Sequence, residues 1–243
     1  MTLNTDINLA RKFILTLDDQ HKNQQGYIYV NSKNDLDLFF YSLKGLFTTD
    51  TDETIDQEFK EFENRRINSV LKEMITNRDQ ILSCYEDMPL IIDEENVGEM
   101  TRFQVKKESV HKKEQKNVMI KKLLANESNE LNIFIGNSSE TSEISLDHIH
   151  RGHVEAIYLS EICRQAGMET LNQKIGNNAT YYISQEVKKY QNKVNREEDV
   201  IVETLPIIGT KKRGFGLCLY SLFQNHEICM SGYYLVAYSR GTE

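Results

Sequence analysis

The sequence predicts an α+β fold after about residue 100, with an antiparallel sheet wrapped around one long helix. A mainly helical region is predicted in front of it. Two observations support this fold class. The hydrophobic period changes near residue 100 from about 3.6 residues towards about 2. One strongly apolar stretch, residues 154–171, then lies between segments of strand-like composition. Strands on both sides of a single apolar helix are typical of a sheet that packs on that helix.

The charge of the chain also divides near residue 100. Residues 1–100 hold 20 acidic and 10 basic side chains, and residues 101–243 hold 17 and 19. We therefore expect two regions, residues 1–100 and residues 101–243. The negative charge of the first region disfavours nucleic acid as a partner, because contacts to phosphate need clustered cations.

The apolar segments and the cysteines indicate a protein of a reducing compartment. No apolar run approaches the ~20 residues that cross a bilayer, and the first residues lack the layout of a signal peptide. The four cysteines share no metal-ligand spacing, so free thiols are expected and no metal. We expect a cytoplasmic protein that does not bind a membrane.

The first hundred residues carry mainly helical patterns. Apolar residues recur at helical spacing in residues 8–17, 35–47 and 52–82, and residues 27–30 form the one convincing strand. After residue 100 the strand-like segments are residues 102–105, 116–124, 131–135, 180–187, 200–208, 215–223 and 227–238.

Three polar side chains interrupt the apolar helix of residues 154–171. Glu161, Arg164 and Gln165 fall within a wedge of about 100° among apolar neighbours. Because a helix that is apolar nearly all round is buried, its charged side chains must be paired or used. One interpretation is an ion pair between Glu161 and Arg164 that positions the helix. The other is a polar cluster at the floor of an apolar cavity, which suits an acyl chain with a reactive head.

Three of the six histidines, His148, His150 and His153, lie just before this helix. Imidazole and carboxylate form the common pair for proton transfer near neutral pH. We therefore name all three histidines as candidate catalytic residues with Glu161, Arg164 and Gln165. Their spacing does not make a compelling metal site.

The sequence of residues 152–166, GHVEAIYLSEICRQA, resembles a known family signature. It is similar to the A-factor biosynthesis (γ-butyrolactone synthase) hotdog family, whose pattern is close to D-H-V-P-G-x-L-L-x-E-A-x-R-Q-A. The residues that match in register are His153, Val154, Glu161, Arg164, Gln165 and Ala166. Upstream, Val110 and His111 followed by residues 118–120 resemble the opening of the family's repeats. The similarity covers roughly residues 105–240.

The resemblance implies a hotdog fold and an activity on acyl thioesters. Members transfer a 3-oxoacyl group from an acyl carrier protein to a hydroxyl of dihydroxyacetone phosphate, and related hotdog enzymes dehydrate 3-hydroxyacyl thioesters or hydrolyse thioesters. The implied partners are an acyl carrier protein or coenzyme A thioester and a small phosphorylated acceptor, with no cofactor. Glu161 would accept or relay a proton, Arg164 would hold the thioester carbonyl, and His153 would assist.

The sequence also departs from the family pattern. Gly152 stands where the family has aspartate, and Glu155-Ala156 replaces its Pro-Gly. These changes favour a second hypothesis, a non-catalytic acyl-binding or assembly protein. Members usually carry two repeats, whereas residues 1–100 hold no second E-x-x-R-Q. A second hotdog would have to come from a second chain or from an N-terminal region degenerate beyond recognition, and we expect a homodimer.

Two basic segments are further candidates. Lys211, Lys212 and Arg213 could bind a phosphate or phosphopantetheine, or they could form a solvated hairpin turn. The lysines at 106, 107, 112, 113, 116, 121 and 122 could meet an acidic carrier protein, and a charged strand face explains them equally well.

Overall fold

The computed structural model describes residues 13–22, 27–30, 32, 47–49, 57, 67–86, 90, 92, 97–98, 100–123, 131–137, 152–176 and 179–241. Seven of the described strands form one sheet. They are β4 (Arg102–Gln104), β5 (Ile120–Leu123), β6 (Asn132–Gly136), β7 (Thr180–Tyr190), β8 (Val200–Ile208), β9 (Arg213–Gln224) and β10 (Glu227–Ser239). All seven strands predicted after residue 100 are present, with ends shifted by a few residues.

The seven strands are ordered β4-β5-β6-β8-β9-β10-β7, and every neighbouring pair is antiparallel. The long helix, α3 (Ala156–Ile175), packs on the inner face of this sheet. Its buried residues Ile162, Cys163 and Ala166 join side chains of β8, β9 and β10 in one hydrophobic core. An antiparallel sheet around a single helix is therefore confirmed.

The described part of the region before residue 100 does not support the mainly helical architecture predicted for it, because it also holds a second sheet. Three short strands, β1 (Phe13–Thr16), β2 (Tyr27–Tyr29) and β3 (Phe47–Thr49), form a parallel sheet of order β2-β1-β3. Residues 13–16 are thus a strand, and the helix predicted over residues 8–17 is wrong there. The run Phe-Ile-Leu-Thr suits a strand, because aromatic and β-branched side chains fit a pleated surface. The strand predicted at residues 27–30 is confirmed.

Two helices of the N-terminal region are described, α1 (Ile67–Thr76) and α2 (Arg78–Glu86), with a turn at Asn77 between them. They replace the end of the single helix predicted over residues 52–82. Most of residues 51–66 lie outside the described part, as do residues 35–46 of the other predicted helix.

The two N-terminal helices cover the outer face of the large sheet. Leu71, Ile81 and Tyr85 share a hydrophobic core with residues of β6, β8, β9 and β10. Polar contacts hold the same interface: the Tyr233 hydroxyl donates to Asp79 at 2.8 Å, and the Lys189 ammonium lies 2.8 Å from Glu86. Because the sheet is covered on both faces, β8 is buried at all nine positions instead of alternating.

All four cysteines are free thiols, and Cys163, Cys218 and Cys229 are buried. Among the residues that the structure describes, no helix is both long and apolar enough to span a membrane.

Candidate active site on the central helix

The long helix approaches the sheet closely because of one glycine. A Cβ added at Gly167 would lie 3.1 Å from the ring of Tyr234, a contact tighter than side chains ordinarily make. The helix begins at Ala156, after a bridge between His153 and Asn195 and a hydrogen bond from the Val154 amide to the Val194 carbonyl of 2.8 Å. It ends before Gly176, whose φ of +108° favours glycine. These constraints fix the position of the polar residues along the helix.

Four polar residues of α3 lie with Met168 in one stripe along the helix. Residues 161, 164, 165, 168 and 172 fall within about 100° of one another around the helix and so share a face. The Glu161 carboxylate accepts from Arg164 through both oxygens, from Nε at 2.7 Å and from Nη2 at 2.6 Å. The Arg164 guanidinium also contacts the sulfur of Met168. The ion pair predicted from the i, i+3 spacing is therefore present.

A third charged residue, Lys112, completes this arrangement. Its ammonium lies 2.8 Å from Oε1 of Glu161, and its side chain is 9% exposed. It follows a 3-10 turn, Lys107–Val110, which fully buried Val110 anchors to the core of the helix. Sequence reasoning assigned Lys112, with the lysines around it, either to a contact with an acidic carrier protein or to a charged strand face, and missed this contact. The matched motif at Val110 and His111, directly before it, was the signal that could have found it.

The Glu161 carboxyl is strongly perturbed. Burial raises its pKa, but hydrogen bonds from Arg164, Lys112 and Gln165 together outweigh burial and lower the pKa from its ordinary 4.5 to about 2. Glu161 is therefore a carboxylate throughout the neutral range. It is suited to hold and orient cations and unsuited to donate a proton as a general acid.

Gln165 is fully buried and connects the helix to the segment before β5. Its Oε1 accepts from the Met119 amide at 2.8 Å, and its Nε2 donates to the Asn117 carbonyl at 3.0 Å and to Glu161 at 2.9 Å. All of these bonds stay inside the protein, so Gln165 fixes geometry. We call Lys112, Glu161, Arg164 and Gln165 the Glu161 cluster.

A cleft of about 500 Å³ lies at the C-terminal end of the stripe, beside Asn172. Its lining consists of Lys106, Glu108, Ser109, His111, Asn172, Ala179, Thr180, Tyr181 and Tyr182. Asn172 belongs to the stripe, and its amide donates to the Ser109 carbonyl. The Tyr181 hydroxyl donates to the Met168 carbonyl at 3.4 Å. Burial raises the pKa of Tyr181 to about 12, so this phenol remains a hydrogen-bond donor at neutral pH.

The structure brings together Glu161, Arg164 and Gln165, and of the three candidate histidines it describes only His153. His153 is exposed before the helix and forms its bridge with Asn195. In the described part of the chain, the partners of the Glu161 carboxylate are Lys112, Arg164 and Gln165. His148 and His150 lie outside the described residues.

Lys211 and Lys212 lie in the exposed turn between β8 and β9, as one interpretation of the sequence predicts, and Arg213 is the exposed first residue of β9. Arg240 binds this turn through the carbonyls of Lys211, at 2.6 Å, and Lys212, at 2.8 Å. Arg213 pairs with Ser239, and Ser239 pairs with Thr180 of the cleft. With strands spaced ~4.8 Å apart, the turn is about 10 Å from the cleft. Within the described residues, no group of His, Cys, Asp and Glu has the arrangement of a metal site.

Comparison with known families indicates which kind of domain contains the Glu161 cluster and the cleft. Residues 95–204 match the A-factor biosynthesis hotdog domain. The family resemblance predicted from the sequence is thereby confirmed for this segment. The matched segment of the hotdog domain includes all four residues of the Glu161 cluster and the cleft residues. No curated protein matches the sequence.

Several solved structures are distantly similar to the hotdog domain. A thioesterase from Haemophilus influenzae is 10% identical, with a TM-score of 0.42, and covers 52% of this chain and 82% of its own. An uncharacterized protein from Pyrococcus horikoshii is 13% identical, with a TM-score of 0.38 and coverage of 52% and 85%. A mutant thioesterase from Pseudomonas aeruginosa is 10% identical, with a TM-score of 0.40 and coverage of 49% and 81%. Likeness at this distance does not bear on function.

Proposed function

We propose that this hotdog domain transfers an acyl group from a thioester, a 3-oxoacyl group in the manner of γ-butyrolactone signal synthesis, to a hydroxyl acceptor. The observation that carries the proposal is the Glu161 cluster. A buried carboxylate, ionised at neutral pH, holds the guanidinium of Arg164, whose side chain is still 30% exposed. A cation fixed in this way can stabilise the negative charge that develops on a thioester carbonyl oxygen.

The proposed step makes one bond and breaks another. The acceptor's hydroxyl oxygen bonds to the thioester carbonyl carbon, and the carbon–sulfur bond breaks. The hydroxyl proton passes to a base and then to the departing thiolate. Arg164 binds the carbonyl oxygen. Glu161 orients the Arg164 guanidinium, and Gln165 holds Glu161 through a hydrogen bond. His148, His150 and His153 are the histidines that the sequence offers as the base.

The basic groups near the cleft support a phosphorylated partner. Lys106 lines the cleft, and the turn of Lys211, Lys212 and Arg213 lies on the same row of the sheet. Cations placed there would bind the phosphates of coenzyme A, of a carrier protein's phosphopantetheine, or of a phosphorylated acceptor.

We also propose that the chain forms a homodimer through β7, one edge of the large sheet. This strand of 11 residues exposes Tyr182, Ile183 and Tyr190. A long edge strand with exposed apolar side chains can pair with another strand, and a twofold axis would pair β7 with itself. The dimer would supply the second hotdog that the sequence of one chain lacks.

The test is an incubation of the full chain with thioesters of coenzyme A and pantetheine, followed by mass spectrometry. The panel contains 3-oxoacyl, 3-hydroxyacyl and saturated chains, each with and without dihydroxyacetone phosphate. An ester of the acceptor supports transfer. A free acid without ester would mean a thioesterase, and an enoyl thioester a dehydratase. Arg164→Gln should abolish the ester, whereas Arg102→Gln, which removes an exposed ion pair with Asp199, should not.

A second candidate function is acyl binding without catalysis. The observation that favours it is that the Glu161 carboxylate already accepts from three side chains. If every thioester is recovered unchanged but still binds in equilibrium dialysis, this second function is the correct one.

A further inference from the structure

The transfer proposed above needs a base for the hydroxyl proton, and the following inference rests on that function. We infer that His111 is the acid–base residue of the reaction and that the cleft receives the reacting end of the thioester. His111 lines the cleft together with Ser109, Asn172 and Tyr181. Its ring stacks on Tyr181, with ring centroids 6.2 Å apart and planes inclined by 25°. Imidazole is the side chain that most often transfers protons near neutral pH.

The backbone at His111 supports this role. Its φ of 55° and ψ of 41° are left-handed, a conformation that residues other than glycine seldom adopt. Such a conformation persists only where the surroundings enforce it, and it occurs often at functional sites. Here Val110 is fully buried on one side, and Lys112 binds Glu161 on the other. The backbone at His111 is therefore held in place from both directions.

The polar stripe connects the cleft with the Glu161 cluster. Arg164 contacts the sulfur of Met168, and the Met168 carbonyl accepts from Tyr181. Lys112, the residue that follows His111, forms an ion pair with Glu161. The cation proposed to bind the carbonyl thus lies on the face of α3 that also carries Asn172 of the cleft, and the imidazole proposed to move the proton lines that cleft.

His153 is not among the residues that line the cleft, whereas His111 is. His153 precedes the first residue of α3 by three positions, whereas Asn172 of the cleft lies 16 residues into the helix. At 1.5 Å per residue, about 24 Å of helix separates the two ends. An imidazole at His153 is therefore remote from the cleft.

The proton path of the inferred step is balanced. The neutral imidazole of His111 takes the proton of the acceptor hydroxyl while the oxygen attacks the carbonyl carbon. When the carbon–sulfur bond breaks, the imidazolium returns that proton to the thiolate. The acyl group moves from sulfur to oxygen, the imidazole is regenerated, and no oxidant or reductant takes part.

The left-handed backbone allows a test that separates catalysis from folding. In His111→Gly the imidazole is removed and glycine accepts the positive φ without strain, so the melting temperature should stay within a few degrees. The kcat for ester formation should fall about 100-fold with an unchanged KM, the usual contribution of a general base. Added imidazole should restore part of the lost rate.

His226 provides a matched control. It is also an exposed histidine with a positive φ, 64°, but it lies in the turn between β9 and β10. The cleft lies beside the opposite end of these strands, where Ser239 pairs with Thr180. His226→Gly should leave kcat unchanged. Equal activity of His111→Gly and His226→Gly would overturn the inference.

A second measurement does not depend on turnover. Diethyl pyrocarbonate modifies accessible imidazoles, and peptide mass spectrometry would measure its reaction at His111 and His226. A thioether analogue of 3-oxoacyl coenzyme A, which cannot react, should protect His111 and leave His226 modified. Modification of His111 at an unchanged rate would refute the cleft as the binding site. If His111 is protected but the wild-type protein forms no ester, the proposed transfer is wrong and the acid–base role falls with it, while the cleft stands as a binding site.

Discussion

The ammonium of Lys112 lies 2.8 Å from the carboxylate of Glu161 and joins the segment between β4 and β5 to the middle of α3. This contact makes Glu161 the acceptor of two cations at once, because Arg164 binds the same carboxylate. The stability of the hotdog core should therefore depend on Glu161 independently of any catalytic role.

Glu161→Gln should destabilise the protein. The amide keeps the shape of the side chain but removes the carboxylate charge that pairs with Lys112 and Arg164. We expect a loss of about 2–3 kcal/mol in the free energy of unfolding, below the ~3–5 kcal/mol of a fully buried pair because Arg164 is partly exposed. Urea denaturation measures it. Glu114→Gln, which breaks an exposed pair with Lys116, is the control and should leave the midpoint unchanged. Equal midpoints for the two variants would contradict the role of Glu161 in the core.

The same carboxylate should make stability depend on pH in the acid range. Because its pKa is lower in the folded chain, about 2 against an ordinary 4.5, its contribution is complete above about 4.5. It is lost as the pH falls towards 2. The difference in unfolding free energy between the wild type and Glu161→Gln should therefore be constant from pH 7 to about 5 and then shrink. A difference that grows on acidification would show the opposite sign of the pKa shift.

Gln165→Leu should cost about 1–3 kcal/mol, since it removes the side-chain amide that binds the buried Met119 amide and the Asn117 carbonyl. Leucine has a similar volume, so packing changes little. Gln173→Leu, one exposed amide further along α3, serves as the control and should change stability by less than ~0.5 kcal/mol. Thermal unfolding followed by circular dichroism compares the two. A Gln165→Leu variant as stable as its control would mean that water replaces the lost bonds.

Ile81→Ala should destabilise the large sheet although it lies in α2. Ile81 is 1% exposed in the core between the N-terminal helices and the outer face, so its truncation should cost about 2–4 kcal/mol. The exposed neighbour Ser83→Ala should have no measurable effect. Hydrogen exchange of β9 and β10 should speed up in Ile81→Ala if α2 stabilises the sheet. Faster exchange confined to α2 would instead show that the helix is energetically separate.

The proposed dimer predicts a mass near twice 28.3 kDa by light scattering. Ile183→Lys places a charge on the edge strand β7 and should yield the monomer. Phe103→Lys makes the same change on β4, at the other edge of the sheet, and should leave the dimer intact. A monomeric wild-type protein at micromolar concentration would exclude the assembly.

The sequence predicts the domain that carries the site well, because local patterns specify it. The strand β8 spans the predicted residues 200–208, and the helix predicted at residues 154–171 becomes Ala156–Ile175. The pairing of Glu161 with Arg164 also follows from local spacing. The strand, the helix and the ion pair all depend on residues that are neighbours along the chain.

Features that depend on distant parts of the chain were harder to predict. Lys112 reaches Glu161 across the fold, and a run of lysines gives no local sign that one of them is buried. Residues 13–16 belong to a segment whose apolar residues recur at helical spacing. In the structure they pair with β2 and β3, so pairing decides their conformation. The position of His111 beside the cleft likewise follows from the packing of its turn on α3.

Because α2 covers the outer face of the sheet, it constrains how the sequence of this hotdog domain can evolve. Ile81 and Tyr85 share their core with residues of β8 and β9, and Asp79 accepts from Tyr233. A substitution on either side of this interface alters the fit of the other side. The two segments must therefore be inherited and altered together, and a chimaera that joins this sheet to a foreign N-terminal region would inherit an unmatched surface.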